Sequence, residues 1–409
     1  MWLHHQTRNL VLVVLFYGTV LLLHILLPAY RTAGYVCDWR GRRLLYRLNG
    51  PLLMAVVVGV PLCLYARGTI PLFVLSFAAE NYWSLLACAN MLGFLCSFLL
   101  VALLPLEPSF RCLTVDQEAL CGRAAKGENV GTSLQQAPKR SKASHFFFGT
   151  SFNPRIGSLD IKMALYALGA AALAWNLVSA VALRLFRVPG VDNLSLALKL
   201  YAAMLSWFLL EYMFLEVIHL YTFDLMCEKL GFKLCWGCLV YYPFFYCIPV
   251  WSLVEAPPNA DITTATGLGI VMLFFCGWIL TRGANVQKYL FKTRGPQPQI
   301  SVLGVAFVLP MRVVPRTRLL CSGFWGLARH VNYLGEIIQA IALALPGYLV
   351  SPPNSYYYQV LPWLYPLYYV ALFLPRQMDD DLQIEAKYGK DSFKEYRRLV
   401  PYRIVPGIW

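Results

Sequence analysis

Charge is scarce in this chain. Only 14% of its 409 residues are Asp, Glu, Lys or Arg, 58% are hydrophobic, and the mean hydropathy is +0.55. A soluble globular chain carries about a quarter charged residues, so this composition needs a non-aqueous solvent. It excludes a soluble enzyme, a disordered protein and a secreted disulfide scaffold. Acidic residues are the scarcer sign, 21 against 35 basic, for a formal charge of +14. Such an excess can signal nucleic acid, but here the cations lie between long apolar runs, as the positive-inside rule expects, and no nucleic-acid partner is implied. There is no G-x-G-x-x-G, no Walker loop and no H-E-x-x-H, which excludes a Rossmann or P-loop nucleotide site and a zincin centre. The 12 cysteines sit mostly within apolar runs, where a free thiol behaves as a small hydrophobe, so no disulfide framework is read. The pair Cys235-Trp236-Gly237-Cys238 opens an apolar run with no second pair at metal spacing, and reads as packing. No metal site is expected.

Charge-free runs of roughly 20 residues are the units that cross a bilayer. They are Asn9 to Tyr30, Leu48 to Ala66, Asn81 to Leu106, Met163 to Leu183, Leu234 to Val254 and Ile262 to Thr281. Leu194 to Tyr221 is apolar but carries Lys199, Glu211, Glu216 and His219. Ile337 to Pro375 is uncharged and broken by Ser351-Pro352-Pro353-Asn354, so it reads as a hairpin of two spans. About nine spans follow, with a tenth if Gly68 to Ala79 or Ile300 to Met311 crosses. The fold expected is therefore an all-α integral membrane bundle of nine to ten transmembrane helices with a short cytosolic C-terminal tail. With nine spans, the basic segments Arg31 to Arg47, Arg111 to Lys162, Arg282 to Arg318 and the tail from Arg376 share the cytosolic side, while the opposite loops hold one Arg and no Lys. The first run has no small-residue cleavage site and is read as a span. The small, polar, basic stretch near 111–145 reads as a flexible cytosolic loop. The tail from Gln377 reads as a short helix with a Pro-punctuated end. No internal repeat is evident, which argues against a transporter.

Four clusters carry chemistry. Glu211, Glu216, His219, Asp224 and Glu228 bring ionisable groups to membrane depth, where such groups face a polar cavity or a helix end. Glu216 and His219, three apart, would share a helix face. Asn285, Gln287, Lys288, Lys292 and Arg294 collect cations at the end of a span, as phosphate ligands or as an ordinary basic anchor. Ser322 to Tyr333 packs glycines, Trp325, Arg329, His330, Asn332 and Tyr333 into one short stretch. An interfacial aromatic belt explains Trp325 and Tyr333 but not the polar residues beside them. The tail supplies Arg376, Asp380, Lys387, Tyr388 and Tyr396.

At these motifs the chain resembles the sterol reductase family, which includes delta-14, delta-7 and carbon-24(28) reductases and the membrane half of the lamin B receptor. The matching stretches are LLCSGFWGLARHVNYLGE, ANVQKYLFK, FNPRIGSLDIK, KYGKDSFKEYRRLVPYRIVPGIW and, near the start, YRLNG. The resemblance implies a ten-helix fold in the endoplasmic reticulum membrane, oxidoreductase chemistry in sterol biosynthesis, and a C-terminal half binding NADPH from the cytosolic side. Residues 1–281 would then hold the sterol pocket, and 282–409 the cofactor with two further spans and the tail. By position, Lys288, Lys292, Trp325, His330, Asn332, Tyr333, Arg376, Asp380, Lys387, Tyr388 and Tyr396 fall on the NADPH site. The substrate would be a sterol drawn from the bilayer. NPRIGSLDIKM, Glu216 with Thr222-Phe223-Asp224, CEKLGFKL and PFFYC look most like the carbon-24(28) group, whereas SGFWGLARHVNY is closer to the delta-14 and delta-7 pattern.

Reducing an isolated alkene with hydride needs a proton first, from an acid that burial keeps protonated. The candidates are Asp380, Glu216 and Asp224, with Tyr246 as donor or relay; Asp380 ranks first, because its family position lies between cofactor and pocket. The other readings are a delta-14 or delta-7 reductase, a non-catalytic sterol-binding scaffold, and a membrane methyltransferase of isoprenylcysteine type. The methyltransferase motif carries Pro after its His, where this chain has Val331.

Overall fold

The computed structural model describes residues 2–37, 42–104, 141–190, 194–302 and 305–408. Helices dominate, and the apolar runs become α1 (Trp2–Leu26), α2 (Gly50–Ala66), α4 (Tyr82–Leu103), α5 (Ile161–Arg187), α6 (Leu196–Phe214), α7 (Phe232–Val254) and α8 (Thr264–Arg294). The short α3 (Leu72–Glu80) precedes α4, and α9 (Val331–Leu349), α10 (Leu364–Tyr388) and α11 (Lys390–Leu399) follow α8. Six of these, α1 and α4 to α8, are long and apolar enough to cross a membrane. Their outer faces expose large apolar side chains such as Leu15, Phe98 and Met272. Stripes of that kind suit lipid and would be unstable against water. The chain is a multi-pass membrane protein.

Local chemistry sets the helix starts. Asp160, Ser195 and Thr263 accept hydrogen bonds from the amides of Met163, Leu198 and Thr266, and so cap α5, α6 and α8. At the crossing of α8 and α9 a Cβ on Gly335 would overlap Thr281 and the Gly277 carbonyl, so two glycines let the backbones touch. The tightest core lies along α5, where Ala170, Ala171, Leu173 and Ala180 are fully enclosed.

Several expectations change. Ile300 to Met311 does not continue as a helix: strands Gln299–Val302 and Val305–Val308 pair antiparallel there. Within the segment Arg31 to Arg47, the strands Tyr30–Cys37 and Arg43–Leu48 pair antiparallel. Most of the loop expected near 111–145 lies outside the described residues. Its end is helical, because Ser141 caps Lys142–Phe148. The helix of the tail does not begin afresh after the last span, since α10 runs through Pro375 to Tyr388. Among the described cysteines, Cys37 is disulfide-bonded and the others form no disulfide.

Candidate active site

A cavity of about 370 Å³ lies among α6 to α10, within the ~300–1,000 Å³ typical of ligand pockets. Helical periodicity explains who lines it. Along α8, Thr281, Asn285, Lys288 and Lys292 recur every three or four residues and share one face. Asn332, Tyr333, Glu336 and Gln339 do the same on α9, and Tyr369, Phe373, Arg376, Asp380 and Lys387 on α10. A π-helical stretch, Gly237–Phe245, turns Tyr241, Tyr242 and, just beyond it, Tyr246 inward.

Around the mouth, the loop before α9 is pinned to α8. Gln287 donates to the Ser322 carbonyl at 3.0 Å and accepts from the Phe324 amide at 3.0 Å. Gly323 sits between them at φ +61, where a side chain would be strained and would strike Gln287. Trp325 donates to the Ala284 carbonyl at 2.9 Å, and the Lys288 ammonium lies 5.9 Å from its ring centroid. Lys292 stands 4.1 Å from the Tyr35 ring, which seats the first hairpin on the end of α8.

Arg329 organises the tail. Its guanidinium grips both oxygens of Asp381 at 3.2 and 3.1 Å and donates to the carbonyls of Val400 and Pro401. Burial pushes the Asp381 carboxyl up, but the hydrogen bonds from His330 and Arg329 outweigh it and hold it at about 2. His330 packs parallel to Tyr333, which stacks on Phe373 at 4.4 Å. The Tyr333 hydroxyl donates to Asp380 at 2.7 Å.

Deeper, Arg376 pairs with Asp224 and lies 3.6 Å from Glu228; Tyr166 also donates to Asp224, at 3.0 Å. Burial works against the Asp224 anion, but the Arg376 charge prevails and keeps the carboxyl below its ordinary range. The segment carrying Asp224 is fixed from below by Lys162. This buried ammonium donates to the carbonyls of Asp224 and Glu228, both at 2.7 Å. Elsewhere on the cavity wall Arg282 pairs with Glu211 at 2.5 Å, and Tyr365, Tyr369 and Tyr246 form a chain of hydroxyls.

All eleven residues expected at the cofactor line this one cavity, as do Asp224 and Tyr246. Glu216 does not. Its carboxylate accepts from the Gly50 amide at 2.9 Å and is buried there. The helical spacing with His219 misleads because Glu216–His219 is a single isolated turn, in which only His219 reaches the cavity. The sequence reading also missed Glu336 and Tyr369, which follow from the i, i+3 and i, i+4 rows through Tyr333 and Phe373.

The mouth offers what a phosphorylated dinucleotide requires. Lys288, Lys292, Arg318 and Lys387 are cationic, and Trp325 and Tyr388 supply flat faces. Asn332 Oδ1, Arg376 Nε and Asp380 Oδ1 are buried without hydrogen-bond partners. Buried polar atoms of that kind are costly unless a ligand satisfies them, so the residues present fit NADPH.

Comparison with known proteins places the chain in a family. The ergosterol biosynthesis ERG4/ERG24 family matches residues 2–409. A protein of Methylotuvimicrobium alcaliphilum named Delta(14)-sterol reductase is 34% identical over 265 residues, 64% of this chain and 58% of its own length. The Delta(14)-sterol reductase of Schizosaccharomyces pombe is 30% identical over 411 residues, covering 98% of this chain and 85% of that one. A mouse Delta(14)-sterol reductase is 31% identical over 393 residues, 94% and 82% of the two chains. This chain belongs to the ergosterol biosynthesis ERG4/ERG24 family of membrane sterol reductases, oxidoreductases that act on a carbon–carbon double bond.

Proposed function

We propose that this protein reduces the carbon-14 double bond of a sterol with NADPH. The observation that carries the reading is the single cavity in which a cationic, aromatic mouth continues into a membrane-facing chamber lined by Phe208, Tyr241, Tyr246, Leu372 and Phe373. The relatives named Delta(14)-sterol reductase favour carbon 14 over the carbon-24(28) reading that NPRIGSLDIKM and PFFYC suggest.

Lys288, Lys292 and Lys387 would hold the phosphates, Trp325 and Tyr388 would offer ring faces, and Asn332 and His330 would supply hydrogen bonds. NADPH, when bound, supplies the hydride. The protein's own part is to orient the sterol, exclude water and place a proton at the alkene. Asp224 is a poor donor because Arg376 favours its anion. Asp380 accepts from Tyr333, so it serves best to fix the Tyr333 ring and the cofactor end of the cavity. Tyr246 is the candidate that faces the chamber with a hydroxyl hydrogen to give. The membrane would be that of the endoplasmic reticulum.

The deciding experiment incubates purified protein with NADPH and a panel of delta-14, delta-7 and carbon-24(28) sterols, with products read by mass spectrometry. Loss of the delta-14 double bond is expected. Turnover confined to carbon-24(28) would overturn the regiochemistry, and tight sterol binding with no turnover would favour the scaffold.

A further inference from the structure

A second concavity lies away from the active-site cavity. This groove, of about 290 Å³, opens between α1, α3 and α5 and is lined by Leu12, Phe73, Val74, Phe77, Ala78 and Trp175. Leu12, Phe73 and Val74 are exposed there, so the groove faces lipid. Of the six side chains only Trp175 has a polar atom, an indole N–H that bonds to no group among the described residues.

Arg8 stands one turn from the groove. It shares a face of α1 with Leu12, four residues on, and its guanidinium lies over Phe77, 5.4 Å from the ring centroid. On α3 the residues Phe73, Phe77 and, at the helix end, Asn81 repeat the same spacing. Both helices thus lead from the apolar groove to one polar cluster. The other end of α1 runs into the hairpin that Tyr35 seats at the cavity mouth, about 27 Å along the axis from Arg8. Arg8 therefore sits at the end of the molecule where cations are few.

No anion answers this cation. Among the described residues its guanidinium meets His5 Nδ1 at 3.1 Å and the side-chain carbonyls of Asn9 and Asn81, each at 3.4 Å. Those contacts use Nε and Nη2, which leaves Nη1 for a ligand. Glu80, beside Asn81, accepts from the Ser76 hydroxyl at 2.7 Å and makes no ion pair with Arg8. An exposed guanidinium with neutral neighbours, at the head of a lipid-facing groove, fits an anion that carries a hydrocarbon chain. Arginine's planar fork suits the oxygens of a phosphate.

We propose that this groove is a phospholipid site, with the phosphate of one glycerophospholipid on Arg8 and one acyl chain in the groove beneath it. The Trp175 indole N–H is then available to an ester carbonyl. The bound lipid ties α1 to α3, whose Ala79 amide is already fixed on α5 by the Ser179 hydroxyl at 2.8 Å. It braces the end of the bundle opposite the cofactor mouth, and the inference is independent of the reductase reading.

The test uses the full-length protein in detergent, with bound lipid counted by native mass spectrometry and thermal unfolding followed as lipid is added back. The probes are phosphatidylcholine, phosphatidylglycerol and, as the phosphate-free control, diacylglycerol with the same acyl chains. Wild type should retain one phospholipid, and either phospholipid should raise its melting temperature saturably while diacylglycerol does not. Losing a charge-assisted contact should weaken phospholipid binding about tenfold or more in Arg8→Gln. Leu12→Trp, which fills the groove, should abolish binding with Arg8 still in place. Unchanged affinity in either variant overturns the proposal, as does diacylglycerol binding as well as the phospholipids. Phospholipid retained by wild type in no fixed ratio, and stripped as readily as from Arg8→Gln, marks ordinary annular lipid and overturns it too. Should neither variant be recovered folded, the wild-type comparison of phospholipid with diacylglycerol decides.

Discussion

Individual side chains in the cavity divide by where they stand, on its wall or at its mouth. Asp224, Asp381 and Glu211 each face a guanidinium, so their negative charge is structural. Lys288 belongs to the mouth. It rides the exposed end of α8, beside Trp325, at the lip of the cavity. A phosphate there would gain a charge-assisted hydrogen bond, worth about 1.5–3 kcal/mol. Lys288→Ala should therefore raise the KM for NADPH roughly tenfold or more, with kcat within about a factor of two, because the change removes a phosphate contact and leaves the aromatic chamber intact. Steady-state kinetics at saturating sterol would check it, and an unchanged KM would place the phosphates elsewhere. Asp379, by contrast, is exposed on α10 and does not line the cavity, so the acidic pair Asp379-Asp380 puts only one carboxyl at the site.

The helices explain how much of this was legible in the sequence. Long charge-free runs announce spans because burial in lipid forbids unpaired charge, and α4, α5 and α7 begin and end close to where that rule puts them, whereas α8 runs on past Thr281 to Arg294. Many of the residues that line the cavity were legible because they sit in dense, polar motifs inside an apolar chain. Glu336 was not, because a single acid at the head of an apolar run reads as a span boundary, and only the packing of α9 on α8 shows that it faces inward. Glu216 failed for the opposite reason, since its spacing to His219 has meaning only in a continuous helix. The β-hairpin at Gln299–Val308 was hidden because a short apolar run has the same composition whether it forms strand or helix. The α8–α9 crossing makes a prediction at this scale. Gly335→Val would force the backbones apart at Thr281 and Gly277, displacing Asn332 and Glu336 together. Overpacking of this sort costs about 1–3 kcal/mol. The variant should show a melting temperature several degrees lower in detergent and loss of both NADPH affinity and turnover, whereas Gly18→Val on α1, where nothing lies nearby, should show neither.

For the molecule as a whole, the orientation in the bilayer follows from where the cations are. Lys288, Lys292, Arg318, Lys387 and Arg329 all line the cavity, and the hairpin Tyr30–Cys37 with Arg43–Leu48 docks at the same end through Tyr35. The other end carries the Arg187–Glu255 pair at 2.6 Å and the Asp261 carboxylate on the amides of Leu196 and Ala197, so its few charges are largely cancelled. The positive-inside rule predicts the mouth and tail on the cytosolic face, the side from which a soluble reduced dinucleotide would be drawn. A tag added after Trp409 should be digested by protease in sealed microsomes without detergent, while a tag in the loop at Ser351–Asn354 should be cut only after permeabilisation. NADPH added outside those microsomes should support turnover without detergent. Protection of the C-terminal tag would invert the assignment and with it the path by which the cofactor reaches Lys288.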